Sequence, residues 1–168
     1  GSSPDGGRTF WHGSFRRLRA GVLHDCLCQA TGVPSRLGGF PLGTRAVQLP
    51  VAAMSPEFLE TFGRSDRGTV CSCEVDVQPN LSQALHLLNG ATTWGKIEGG
   101  EVLKRLMTAG DEPATVISAL YVRCQSRQQT ARERTRLLAA VAAADDRNEI
   151  YRELFWALLN SKEFLFNH

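Results

Sequence analysis

Three times between residues 111 and 149 a capping side chain is followed by apolar residues at helical spacing. Asp111 precedes Val116, Ile117, Leu120, Tyr121 and Cys124. Thr130-Ala-Arg-Glu133 has the form of a capping box, in which hydroxyl and carboxylate each satisfy a free backbone N–H of the first turn. Leu137, Leu138 and Val141 follow it. Asp146-Arg-Asn-Glu149 opens a last helix, with Ile150, Leu154, Phe155, Leu158 and Leu159 facing inward. A helix with one apolar stripe must bury it, and short links make successive helices neighbours. The expected fold is therefore all-α, or mainly so: an antiparallel helical bundle.

The first half of the chain is less regular. Residues 1–16 read as an irregular arm and 17–168 as a single helical domain, a fragment or C-terminal part of a larger protein. Leu18, Val22, Leu23, Cys26, Leu27 and Ala30 recur at three- and four-residue steps, which predicts a helix from about Arg17 to Ala30, stopped by Gly32 and Pro34. Residues 31–55 hold Gly32, Pro34, Gly38, Gly39, Pro41, Gly43 and Pro50, a density that forbids a regular helix. Thr44 to Leu49 reads as a short extended piece. So long a segment either wraps on the core or covers a neighbouring domain. Ser55-Pro56-Glu57 starts a short helix that ends at Gly63, residues 64–79 read as extended, and Asn80-Leu-Ser-Gln83 opens a helix closed by Asn89-Gly90. Between Thr92 and Ala109, Gly95, Gly99 and Gly100 leave only Glu101 to Met107 as firm helix.

Composition narrows the function classes. A net charge of +2 lacks the basic excess of a nucleic-acid binder. No run approaches the roughly 20 apolar residues of a membrane helix. Gly1 to Gly7 carries no signal-peptide pattern. The chain lacks a P-loop, a Gly-x-Ser-x-Gly elbow, a His-Glu-x-x-His pair and a Cys-x-x-Cys-His haem motif.

The candidate chemistry rests on cysteine. Cys26 and Cys28 lie two apart on a helix, where such positions do not face each other, so they read as packing thiols. Cys71 and Cys73 lie in an extended stretch, where alternate residues share a face. Both sulfurs can then reach one metal ion, with His86 or Glu74 as a further ligand; a disulfide or plain reduced thiols are the alternatives. His24 reads as a hydrogen-bonded or surface histidine. Arg132, Arg134 and Arg136 read as a solvated face or as a docking face for an acidic partner. Trp11, Trp94 and Trp156 would serve a carbohydrate-binding module, although Trp156 sits on an amphipathic helix and reads as core.

Several motifs occur in order: Leu23-His-Asp25, Gln29-Ala-Thr-Gly-Val-Pro34, Gly43-Thr-Arg-Ala-Val-Gln-Leu-Pro50, Phe58-Leu-Glu-Thr-Phe-Gly-Arg64, Val70-Cys-Ser-Cys-Glu74, Pro79 through Gly90, and Trp156 through Phe166. Together they resemble a C-terminal domain of unknown function in planctomycete proteins that often also carry a cytochrome-c-like domain. The resemblance covers roughly residues 17–168. It implies a large, multidomain protein, exported or envelope-associated, whose haem motif lies in another domain, and it transfers no catalytic residue. The expectation is a non-catalytic packing or interaction module without cofactor, whose partners are other domains of the same or a companion protein. The alternatives are a metal- or thiol-dependent redox component around Cys71 and Cys73, and carbohydrate binding.

Overall fold

Pro113 needs no hydrogen-bond partner for its nitrogen, so it opens helix α4 (Pro113–Gln125) at no cost to the first turn. Ser126, at φ 55°, ends it in the left-handed region, and its N–H returns to the Val122 carbonyl at 3.0 Å. In α5 (Ala131–Ala143) the expected box is present: the Glu133 N–H donates to Thr130 Oγ1, and the Thr130 N–H to Glu133 Oε2. Asp146 caps α6 (Arg147–Leu159) by accepting from the Asn148 N–H at 2.8 Å. A further short helix, α7 (Lys162–Leu165), follows, capped by Ser161.

The computed structural model describes residues 16–18, 20–49, 91–109 and 112–167. The expected helices at 55–63 and 80–90 and the extended stretch at 64–79 lie outside the described residues. Among the described residues there are seven α-helices, one 3-10 turn and one pair of two-residue strands. The helical class is as expected.

Helix α4 packs on α5 and α6, and these two also meet. Their apolar stripes form most of the core: Val116, Ile117, Leu120, Tyr121 and Cys124 from α4, Val141 from α5, and Tyr151, Leu154, Phe155, Leu158 and Leu159 from α6. Phe155 is fully buried, and a side chain of that size contributes about 1.5–3 kcal/mol. Ile150, Leu137, Leu138 and Trp156 are partly buried against this core.

Helix α1 (Ala20–Thr31) completes it with Leu23, Leu27 and Ala30. It starts three residues later than the apolar spacing suggests. Arg16–Arg17 instead forms strand β1, antiparallel to β2 (Phe166–Asn167), with Arg16 opposite Asn167 and Arg17 opposite Phe166. Pairing with the far end of the chain overrides the local helical period. Gly32 ends α1 at φ +73°, and its N–H donates to the Cys28 carbonyl.

Residues 91–109 hold two helices, α2 (Ala91–Gly99) and α3 (Glu101–Thr108), where glycine content predicts only the second. Packing on α1 and α6 explains the difference, because Thr93 and Ile97 of α2 are almost fully buried. That burial exceeds the roughly 1 kcal/mol that a helical glycine costs. Gly100 separates the two helices. A Cβ there would run into the Thr31 carbonyl oxygen and come within 2.8 Å of the Lys96 carbonyl oxygen. Only glycine lets the end of α1 approach this junction so closely. At α4, Glu112 rather than Asp111 is the residue before the helix, and it makes no side-chain cap; Asp111 lies outside the described residues.

Candidate functional site

Asp25 is a charged residue on a core-facing helix, yet only 8% of it is exposed. A buried carboxylate needs donors, and they come from 21 and 22 residues further along. Oδ1 accepts from the Ala46 N–H at 2.8 Å and Oδ2 from the Val47 N–H at 3.1 Å. These are the free N–H groups at the start of the 3-10 turn Ala46–Gln48, so Asp25 caps that turn from another element. The Arg45 guanidinium stands 3.9 Å from the same carboxylate. The turn replaces the extended piece expected at Thr44 to Leu49, because the long-range carboxylate gathers successive N–H groups that an extended chain would point apart.

The described part of the irregular segment, 32–49, is thereby a fixed loop. The Gly43 N–H closes it on the Ser35 carbonyl at 2.8 Å, the Phe40 N–H donates to the Leu37 carbonyl, and the Thr44 N–H to the Pro41 carbonyl. Ser35, Leu37 and Ala46 are buried. Phe40 (38%), Leu42 (61%) and Val47 (48%) are exposed, and so are Arg36 and Arg45. The loop thus buries Ser35, Leu37 and Ala46 and leaves three other large apolar residues in solvent.

Beneath it lies a second polar cluster. His24 and Cys28 share one face of α1, and Lys96 of α2 reaches them across 68 residues, with Nζ 3.3 Å from Cys28 Sγ. The His24 ring is buried, its Nδ1 is 3.4 Å from Asp25 Oδ1, and its Nε2 is 3.7 Å from Sγ. On paper this is a cysteine–histidine–aspartate series. Its geometry and electrostatics are those of a packed cluster. Sγ is 3.9 Å from Nδ1 as well, so the sulfur stands beside the ring rather than on the line of the Nε2 lone pair. Burial, and then the Lys96 charge, lower the His24 pKa, while burial raises that of Cys28 against the pull of Lys96. Both shifts favour neutral thiol and neutral imidazole, opposite to the thiolate–imidazolium pair that a nucleophile needs. Two ligands alone do not make a metal centre, and among the described residues no group of three or more His, Cys, Asp or Glu could hold an ion.

A depression of about 1210 Å³ lies between α1, α4 and the C-terminal segment and is open to solvent. Arg123 at its wall caps α1, donating from Nε to the Ala30 carbonyl at 2.6 Å and from Nη2 to the Gln29 carbonyl at 2.7 Å. Cys26 and Cys124 border it, and burial raises both thiols, that of Cys124 to about 12. Its described lining thus brings no activated nucleophile.

A family model described as a protein of unknown function (DUF1553), PSD1, matches residues 3–141. The chain belongs to that family. The match takes in α1 to α4 and most of α5, and with them the loop, Asp25 and the cluster at Cys28. Neither the curated proteins nor the solved structures include a match to the chain.

Of the residues singled out by sequence, Cys71, Cys73, His86, Glu74 and Trp11 lie outside the described residues. Trp94 is half-buried and donates to Glu98 at 3.0 Å; Trp156 packs on the core. Arg132, Arg134 and Arg136 are exposed on α5. No helix among the described residues is long and apolar enough to cross a membrane. Sequence reasoning passed over Asp25 and the pairing of His24 with Cys28. The four-residue spacing of the latter was a usable signal; nothing local marks Asp25 as a ligand for Ala46.

Proposed function

We propose that this domain is a non-catalytic packing and interaction module of a larger multidomain protein, and that the 32–49 loop is its contact surface. The observation that carries this reading is the loop itself: a buried carboxylate, Asp25, holds it in shape while Phe40, Leu42 and Val47 face solvent. A preformed apolar surface loses little conformational freedom on docking, which is what a contact surface requires. The shifts of His24 and Cys28 toward their uncharged forms, driven first by burial, support a packing role over a catalytic one. The ordered motifs from Leu23 to Phe166 support a place in an envelope-associated planctomycete protein that carries a cytochrome-c-like domain elsewhere, with that domain or a companion protein as partner.

A photoreactive amino acid at position 42 of the full-length protein tests the reading. Cross-links to another domain or to a companion protein are expected. Cross-links confined to residues of this domain would overturn it.

A further inference from the structure

We infer that Cys28 and Lys96 form an oxidative cross-linking site, at which a hydroperoxide converts the pair into a covalent Sγ–Nζ bond joining α1 to α2. The inference goes beyond the packing role of the domain and stands independently of the 32–49 loop.

The pair is already assembled. Lys96 donates from Nζ to Cys28 Sγ at 3.3 Å, although 68 residues separate the two in sequence. Both side chains are half-buried, so a small oxidant can reach the sulfur. Helix α1 packs on α2, and Leu27 and Ile97, the chain neighbours of the pair, are almost completely buried. The two backbones are thereby held in place, and only the flexible four-carbon stem of the lysine has to move for the bond to close. Among the described residues no thiol competes from the same face. Cys26 lies two positions away on the helix, where side chains do not face each other, and with Cys124 it borders the depression between α1 and α4. The His24 ring is farther from the sulfur than the amine is, with Nε2 at 3.7 Å.

The chemistry balances with hydrogen peroxide as the oxidant. The Cys28 thiolate attacks one peroxide oxygen. The O–O bond breaks, an S–O bond forms, and the second oxygen leaves as water with the proton that the thiol gave up. Sulfur loses two electrons, the peroxide gains them, and the product is a sulfenic acid. Such an acid condenses with a nitrogen held against it. Lys96 gives its ammonium proton to water, and the free amine attacks Sγ. The S–N bond forms, the S–O bond breaks, and the hydroxyl leaves as a second water with a proton from nitrogen. One thiol, one amine and one peroxide thus become one sulfenamide and two waters. Burial raises the Cys28 thiol, and the Lys96 charge and hydrogen bond offset this only in part. Attack on the peroxide is therefore slow, and the site records sustained exposure rather than a brief pulse. The bond closes a long loop of chain, which constrains the unfolded state as a disulfide does.

The test treats the full-length protein with hydrogen peroxide, blocks the remaining thiols and cleaves after glutamate. Cleavage at Glu74 and Glu98 leaves Lys96 in a peptide without cysteine, separate from Cys71 and Cys73. Mass spectrometry is expected to find that peptide joined to the one carrying Cys28, at the summed mass less two hydrogens, and released by reduction. Cys26→Ser should leave the yield unchanged. Lys96→Arg keeps the charge but removes the amine, so the link should be lost and Cys28 should proceed to sulfinic acid. In the unsubstituted protein, Cys28 recovered as sulfinic acid or in a disulfide, with the Lys96 peptide free, would overturn the inference. So would a Cys28 that stays a thiol while Cys26 is oxidised, or a link that persists in Lys96→Arg. A joined pair one oxygen heavier would put that atom between sulfur and nitrogen and overturn the direct bond.

Discussion

Asp25→Ala removes the carboxylate that ties the loop to α1, and its effect can be worked from the two hydrogen bonds. A bond to a charged group contributes about 1.5–3 kcal/mol, and a buried N–H left alone costs about 1–3 kcal/mol. The bond to Ala46 is buried, whereas that to Val47 is partly open to water. Water can replace the carboxylate at Val47 but has little access at Ala46. The expected loss is about 2–4 kcal/mol for Asp25→Ala. Asp25→Asn keeps one acceptor oxygen and should lose about 1–2 kcal/mol. Urea unfolding gives the global value, and amide hydrogen exchange locates it. If the loop detaches before the core unfolds, the Ala46 amide should exchange about 30-fold faster or more, while the Ile117 and Leu120 amides in the core follow only the global change. A stability loss below about 0.5 kcal/mol together with an unchanged Ala46 amide would refute the assignment of Asp25 as the loop's anchor.

Other consequences concern the scaffold. Gly100→Ala forces a methyl onto two carbonyl oxygens and should cost about 2 kcal/mol or more, whereas Gly95→Ala, with nothing within 4 Å and a helical backbone, should stabilise by about 0.5–1 kcal/mol; thermal unfolding of the two variants decides. The Arg127 guanidinium, followed by the Thr130 N–H, holds the Glu133 carboxyl at about 2, below its ordinary 4.5. The stability Glu133 contributes is therefore full above about pH 4.5 and lost as pH falls toward 2, so Glu133→Gln should flatten the acid limb of a stability–pH curve; an unaltered limb would count against the pairing. Cys124, its thiol pushed up to about 12 by burial, should resist a disulfide reagent at about pH 8 until urea unfolds the chain. Rapid native labelling that Cys124→Ala abolishes would show the site to be open.

What the sequence determined by itself is whatever depends on near neighbours. The Thr130–Glu133 box and the Asp146 cap act within one helical turn, and both could be read directly; at α4 the sequence suggests Asp111 as the cap, whereas Pro113 opens the helix after Glu112. The stripe from Val116 to Cys124 turned out buried residue for residue, because a helix fixes which side chains share a face before anything packs on it. The irregular character of residues 32–49 followed from glycine and proline in the same way.

The tertiary structure alone decided the rest. Strand pairing between Arg17 and Phe166 moved the start of α1, and burial of Ile97 made a helix of a glycine-rich stretch. The candidate site belongs almost wholly to this second kind. Asp25 meets the Ala46 N–H across 21 residues, and Lys96 meets Cys28 across 68. Neither pairing has a spacing rule, because the intervening chain can close such a loop in many ways at similar entropic cost. Only the packed positions of α1, α2 and the loop select one, and with it the face that this domain turns outward.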